Sequence, residues 1–310
     1  MYTKEMEKIL VTDSLFIFDE HIQTLAEAGY KVERLDTPSA TSEQLTKALQ
    51  GKVGYILGGI ETVSDEVLAS VDSLRAIAFT GTDFKSFIPG WKTAQDKGIM
   101  IADAPAANAQ AVAEFALAVG LSMQRNLYEL GRTGEKKFES TRSFQGATIG
   151  IVGAGNIGTK IAKMVDAFSP KEILYYSRTE KEEMNASFTT LNDLCSRADA
   201  VFVAIPDSAG KVFNSEIISK LKTDCLFVCV SPSVVEYEPL LKRLQEGTLR
   251  AAVDCPAPSE AFDKLPLSVW FNPNDHSAYN THIANKIASD MSTSSIINLL
   301  KMGSDKYRVL

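Results

Sequence analysis

The chain has 310 residues, 45% hydrophobic and 23% charged, enough apolar mass for real cores at a length where chains split into about two domains. A formal charge of −7 excludes a general nucleic-acid or anionic-membrane surface, which would be basic. Three histidines without ligand spacing, and four cysteines (Cys195, Cys225, Cys229, Cys255) without a C-x-x-C pair, exclude most zinc sites, so no metal is expected.

The amino terminus, Met-Tyr-Thr-Lys-Glu-Met-Glu-Lys, is charged where a signal peptide needs an apolar core. No stretch approaches the roughly 20 apolar residues of a membrane span. A soluble cytoplasmic chain with reduced thiols is expected. Apolar β-rich runs then fall at 8–12, 31–35, 53–57, 75–79 and 98–102, with helical patterns at 20–28, 42–50, 64–70 and 91–97. Ser42 and Ser64 precede acidic turns as N-caps do, and Gly29 and Gly51 stand where helices end. Five β-α units predict a parallel sheet with helices on both faces. Residues 108–123 read as one long helix, and the polar stretch 133–145 as a surface loop. A second series follows, with strands at 148–152, 172–176, 200–205, 226–230, 250–253 and 268–271, and helices at 156–168, 191–197, 215–221 and 238–245. Six strands in that rhythm predict a dinucleotide-binding sheet. Residues 281–301 close the chain as a helix.

Gly153-Ala-Gly-Asn-Ile-Gly158 directly follows a predicted strand and opens a helix. Gly153 permits the tight turn, Gly155 the approach of a pyrophosphate, and Gly158 close packing of helix on strand. Asn156 and Ile157 then begin the helix whose free N–H groups would hold the anion. The next strand ends in Tyr175-Tyr-Ser-Arg-Thr179, without the carboxylate that usually takes a ribose 2′-hydroxyl. Ser177 and Thr179 can donate hydrogen bonds and Arg178 can pair with a phosphate. The expectation is NADP(H) in preference to NAD(H), with NAD(H) still admissible. Against it stands Arg178 as a plain surface charge.

With these features the chain resembles the D-isomer-specific 2-hydroxyacid dehydrogenases over nearly its whole length. Asp103-Ala-Pro-Ala-Ala-Asn-Ala-Gln-Ala-Val-Ala-Glu114 is similar to the family's segment at the first domain crossing, with Ala106 where Gly is usual. Leu191-Asn-Asp-Leu194, Ala204-Ile-Pro206, and 240–247 followed by Ala251-Ala-Val-Asp254 also fit. The resemblance implies an α/β architecture of two doubly wound parallel-sheet domains. A Rossmann cofactor domain, 104–281, is inserted into a flavodoxin-like substrate domain, 1–103 plus 282–310, with catalysis in the cleft. It also implies a homodimer, a small-molecule substrate, and cofactor contacts at Pro206 and Asp254.

Family catalysis uses Arg for the substrate carboxylate and carbonyl, His as acid/base, and Glu to raise the His pKa. Each has a chemical reason: a carbonyl accepting hydride develops negative charge, which a cation and a proton donor stabilise. Here Ser231-Pro232 stands where Arg-Gly is expected, and Ser231 carries no charge. His276-Ser-Ala-Tyr-Asn-Thr281 matches the His run counted back from the last helix, whereas counting forward puts Asn274 in that place. Glu260 is the candidate partner of His276, one residue later than usual. Gly59 in Gly58-Gly59-Ile60, and Gly81 and Thr82 before Asp83, could offer backbone N–H groups to substrate. Asp83 would repel a carboxylate, so the substrate is expected to depart from a simple 2-keto acid. The expected activity is NAD(P)H-dependent hydride transfer to or from a small carbonyl, hydroxy acid or imine. The alternative is a catalytically impaired nucleotide-binding sensor or regulatory homodimer.

Overall fold

The computed structural model describes residues 6–12, 17–37, 39–134, 140–275 and 277–310, so His276 lies outside the described residues. The chain forms two compact units, residues 1–108 with 281–310, and residues 109–280.

In the first unit the strands are β1 (Lys8–Thr12), β2 (Lys31–Leu35), β3 (Lys52–Leu57), β4 (Ala76–Phe79) and β5 (Met100–Ala102). They pair in parallel in the order β2-β1-β3-β4-β5, the flavodoxin-like arrangement. Parallel neighbours need helical crossovers, which cover both faces, so β3 and β4 are almost wholly buried. The helix Ser42–Leu49 is capped one residue earlier than expected: Gln44 N–H donates to Thr41 Oγ1 (3.3 Å), and Thr41 N–H donates to Gln44 Oε1 (2.9 Å). Ser64 caps Asp65–Ala69 as its sequence predicts.

The helix His282–Met302 returns to this sheet with Ile296 and Leu299 buried in its core. Residues 104–107 also belong here, which moves the first crossing from the expected 103/104 to 108/109. The reason is their bonding: Ala104 N–H donates to Gly81 O at 2.9 Å, and Ala104 and Ala107 pack on Ala288.

The second unit opens with the buried helix Ala109–Gln124. Its strands are β6 (Thr148–Val152), β7 (Glu172–Tyr176), β8 (Ser187–Phe188), β9 (Ala200–Val203), β10 (Cys225–Cys229), β11 (Leu249–Val253) and β12 (Trp270–Phe271). The order β12-β11-β10-β9-β6-β7-β8 is parallel throughout and reverses direction at β6, as in dinucleotide-binding sheets. It has seven strands where six are expected. β8 is two exposed residues without an apolar run, held by pairing with Leu174 and Tyr175.

β6, β10 and β11 are buried along their whole length between apolar clusters on the two faces. All four cysteines are buried and unbridged, and burial pushes the thiols of Cys195 and Cys225 up to about 12. They are packing groups at neutral pH, not nucleophiles. Among the described residues no helix is long and apolar enough to cross a membrane.

Candidate functional site

The glycine motif turns from the carboxyl end of β6 into the helix Asn156–Asp166. Gly153 has φ +106°, and a Cβ there would stand 2.2 Å from Ala204 O. A Cβ on Gly158 would stand 1.7 Å from Gly153 O, so the helix can approach the turn only because that atom is missing. Gly155 differs: nothing lies within 4 Å of its Cβ position. The protein does not need a glycine there for its own packing; the space is open to a ligand. The helix also starts without a side-chain cap, which leaves the N–H groups of its first turn available to an anion. An open cradle at an uncapped helix start fits the pyrophosphate of a dinucleotide.

The carboxyl end of β7 is tied to this turn by the Gly153 N–H donating to Tyr176 O at 2.8 Å. Beyond it Ser177 is half-buried and Arg178 and Thr179 are exposed. Ser177 Oγ donates to Thr179 O, so its proton is used within the loop. Among the described residues Arg178 forms no ion pair. Pro206, exposed after β9, leads a single 3₁₀ turn at Asp207–Ala209 that Ser233 Oγ braces through Asp207 Oδ1.

Asp254 directly follows β11 and is buried. Its Oδ1 accepts from Ser277 N–H (2.9 Å) and Ala278 N–H (3.3 Å), and Oδ2 from Ala278 N–H (3.3 Å). The carboxylate expected to meet a nicotinamide carboxamide therefore anchors the backbone just after residue 276. Asn274, the competitor for the histidine position, has φ +63° and accepts from Asn272 Nδ2 at 2.9 Å. Asn272 in turn accepts from Trp270 Nε1 (2.9 Å) and donates to Cys255 O (3.3 Å). Asn tolerates that left-handed backbone well, so Asn274 has a turn-forming task of its own.

Ser231 is buried two residues after β10 and caps the 3₁₀ turn Pro232–Val234; Cys229 Sγ donates to its carbonyl at 3.3 Å. The chain holds no arginine between residues 226 and 242. Glu260, the candidate partner of a histidine outside the described residues, sits in solvent. It heads the short helix Glu260–Asp263 with its side chain 84% exposed, paired to Lys264 at 3.0 Å. A solvated carboxylate in a surface ion pair exerts little hold on another group's proton.

On the first unit, Gly59 is buried and Gly81 and Thr82 are partly to fully exposed at the carboxyl ends of β3 and β4. Gly81 accommodates the ring of Phe79, whose Cζ would lie 2.6 Å from an added Cβ. The expected anion-holding loop has a different occupant. The carboxylate of Asp103 is 7% exposed, lies close to the N–H groups of Asp83 and Phe84, and has an Oδ1 without a hydrogen-bond partner. Burial pushes the Asp103 carboxyl up to about 6, the two N–H groups opposing the rise and the Asp83 charge adding to it. In the amino-acid sequence Asp103 stands only as the start of a family segment. Its signal was an acid placed directly after the apolar strand Met-Ile-Ala.

One further trio, Glu20, His21 and Asp290, brings three ligand-type side chains together in this unit. His21 Nδ1 accepts from Phe18 N–H at 3.1 Å, so Nε2 carries the proton and donates to Asp290 Oδ1 at 2.8 Å. Both acids also bind Lys286. That arrangement satisfies itself without an ion.

Fold and turn together define a two-unit α/β protein with a dinucleotide-binding sheet. The chain belongs to the D-isomer specific 2-hydroxyacid dehydrogenases: the model of that family's NAD-binding domain matches residues 114–284. It is 29% identical over 260 residues to the D-3-phosphoglycerate dehydrogenase of Methanocaldococcus jannaschii, covering 80% of this chain and 48% of that protein. It is 30% identical over 211 residues to the glyoxylate reductase of Pyrococcus horikoshii, covering 62% of each. The chain thus spans about half to three fifths of the length of these relatives. The crystal structure of a Thermus thermophilus protein superposes with a TM-score of 0.88 at 23% identity, over 98% of this chain and all of that one, and shows the same fold.

Proposed function

We propose that this protein is an NAD(P)H-dependent oxidoreductase that transfers hydride to or from a small carbonyl, hydroxy acid or imine. The observation that carries this reading is the open space at Gly155 beside the uncapped start of Asn156–Asp166, where Gly153 and Gly158 are required by packing and Gly155 is not. The relatives named above are a dehydrogenase and a reductase, which supports the same reaction class.

When bound, the nicotinamide supplies or accepts the hydride. The chain's own groups do the rest. The N–H groups of Asn156, Ile157 and Gly158 hold the pyrophosphate. Arg178, helped by Thr179 and with no carboxylate in the loop, receives a 2′-phosphate and gives a preference for NADP(H), while Ser177 braces the loop through Thr179 O. His276 donates a proton to the substrate oxygen or nitrogen as negative charge develops there. Asp254 acts as a positioning residue, fixing the backbone of Ser277 and Ala278. Ser231 offers an uncharged hydrogen bond where the family resemblance implies an arginine, so the substrate need not present a carboxylate. The working form is a homodimer.

The test titrates NADPH and NADH separately and then screens carbonyls, hydroxy acids and imines by nicotinamide absorbance. NADPH is expected to bind the more tightly, with turnover lost in His276→Ala. Equal affinity for NADH would end the cofactor preference, and full turnover in His276→Ala would end the role of that residue. Uncharged Ser231 and the solvent-paired Glu260 favour a second reading, a sensor that binds dinucleotide without turnover. Tight binding with every substrate class inert would select it.

A further inference from the structure

The second unit has a cavity of about 320 Å³ against the amino-terminal ends of β6, β9 and β10, the sheet edge opposite the glycine turn. Gln124, Arg142, Ser143, Asp199, Thr223 and Asp224 contribute to its lining. Gln124 is the informative member, being only 3% exposed. Its Oε1 accepts from Arg250 Nη2 at 2.7 Å. Arginine can only donate, so the amide orientation is fixed and Nε2–H₂ is the side left for the cavity. Among the described residues that Nε2 has no partner.

Charge points the same way. Arg250 is 9% exposed, donates to Met123 O at 3.1 Å, and has an Nε without a hydrogen-bond partner. No carboxylate pairs with it among the described residues. Burial, helped by the neighbouring Arg142 charge and opposed by that of Asp224, lowers its pKa to about 10, so it remains a cation at neutral pH. The two acids on the cavity wall are already matched. Asp199 pairs with Lys222 (2.5 Å) and accepts from Thr148 N–H (2.8 Å); Asp224 pairs with Arg142 (3.0 Å). One buried cation thus has no ion-pair partner, with only the Asp224 charge acting on it from a distance, beside a polar cavity with a directed donor. The carbonyl end of Ala109–Gln124 offsets part of that charge, about half an elementary unit at most. Water could satisfy the Gln124 amide but not the remaining charge.

We propose that this cavity binds a small oxyanion, a phosphate or a carboxylate, held by Gln124 Nε2–H with Arg142 at its mouth and Arg250 behind it. This site is separate from the glycine turn and independent of the redox reading.

Inorganic phosphate and succinate are titrated calorimetrically, in separate runs at constant ionic strength, into the full chain saturated with NADPH. The dinucleotide serves only to keep phosphate off the glycine turn; the comparison with Gln124→Leu reads the cavity whether or not it binds. Saturable binding of either anion, weakened at least tenfold in Gln124→Leu, is expected, and the better anion identifies the oxyanion class. Arg142→Ala, at a half-exposed position, carries the same comparison if Gln124→Leu does not fold. Absence of saturable binding for both anions would overturn the proposal, as would unchanged affinity in the folded variant.

Discussion

Replacing Gly155 separates ligand binding from folding more cleanly than any other change in this chain. Its backbone, φ −87° and ψ −166°, is open to any L-residue, and nothing lies within 4 Å of the added carbon. Gly155→Ala should therefore cost the fold less than about 1 kcal/mol, the scale of a changed N-cap residue. The methyl group would instead occupy the space through which a pyrophosphate reaches the first-turn N–H groups. Charge-assisted hydrogen bonds contribute about 1.5–3 kcal/mol each. Losing one predicts a fall in dinucleotide affinity of roughly ten- to 150-fold. Fluorescence titration with NADPH and NADH, beside a thermal melt of each protein, measures both quantities. Undiminished affinity in a variant that melts with the wild type would refute the turn as a pyrophosphate cradle. Lost affinity with a collapsed melting temperature would refute the claim that the space serves only the ligand.

Gly158→Ala should behave in the opposite way, since its Cβ would fall 1.7 Å from Gly153 O. Overpacking of this kind costs about 1–3 kcal/mol or more, so a thermal melt should drop clearly even without ligand, and an unshifted melt would contradict the packing. Asp103 makes stability depend on pH. Its folded pKa of about 6 lies above the ordinary 3.8, so between those values the native chain holds a proton that the unfolded chain releases. Stability should therefore fall as pH rises from about 4 to about 6, by up to an amount on the order of 3 kcal/mol. Asp103→Asn keeps an acceptor for the two N–H groups and should flatten that slope while raising the melting temperature at neutral pH. Denaturant midpoints across the window check the sign, and a flat wild-type profile would remove Asp103 from the account. Ser231→Arg should bring or raise 2-oxo acid reduction by tenfold or more if a missing cation limits it. An unchanged rate in a folded variant would show that the chemistry does not depend on charge at that position.

Much of the architecture was readable along the chain because it rests on local rules. Uninterrupted apolar runs mark strands buried on both faces, and Ser64 or the Gly153–Gly158 spacing marks helix starts within a few residues. β8 escaped because two residues, Ser187 and Phe188, have no periodicity to detect; only the neighbouring β7 makes them a strand. The crossing at 108/109 escaped because it depends on Ala104 bonding to Gly81 and packing on Ala288, contacts distant in sequence.

The candidate site divides along the same line. Glycine spacing, the absence of a carboxylate among Ser177, Arg178 and Thr179, and the serine at position 231 are properties of short segments, and they stand in the amino-acid order itself. Burial and partnership are not. Glu260 and Asp103 look alike as acids after a strand, yet one is 84% exposed beside Lys264 and the other 7% exposed under two N–H groups. That Asp254 holds the backbone of Ser277 and Ala278 is visible only in the fold. A residue's type sets which bonds it can make. Which groups actually reach it, and how much water remains around it, is decided only when segments far apart in the chain pack together.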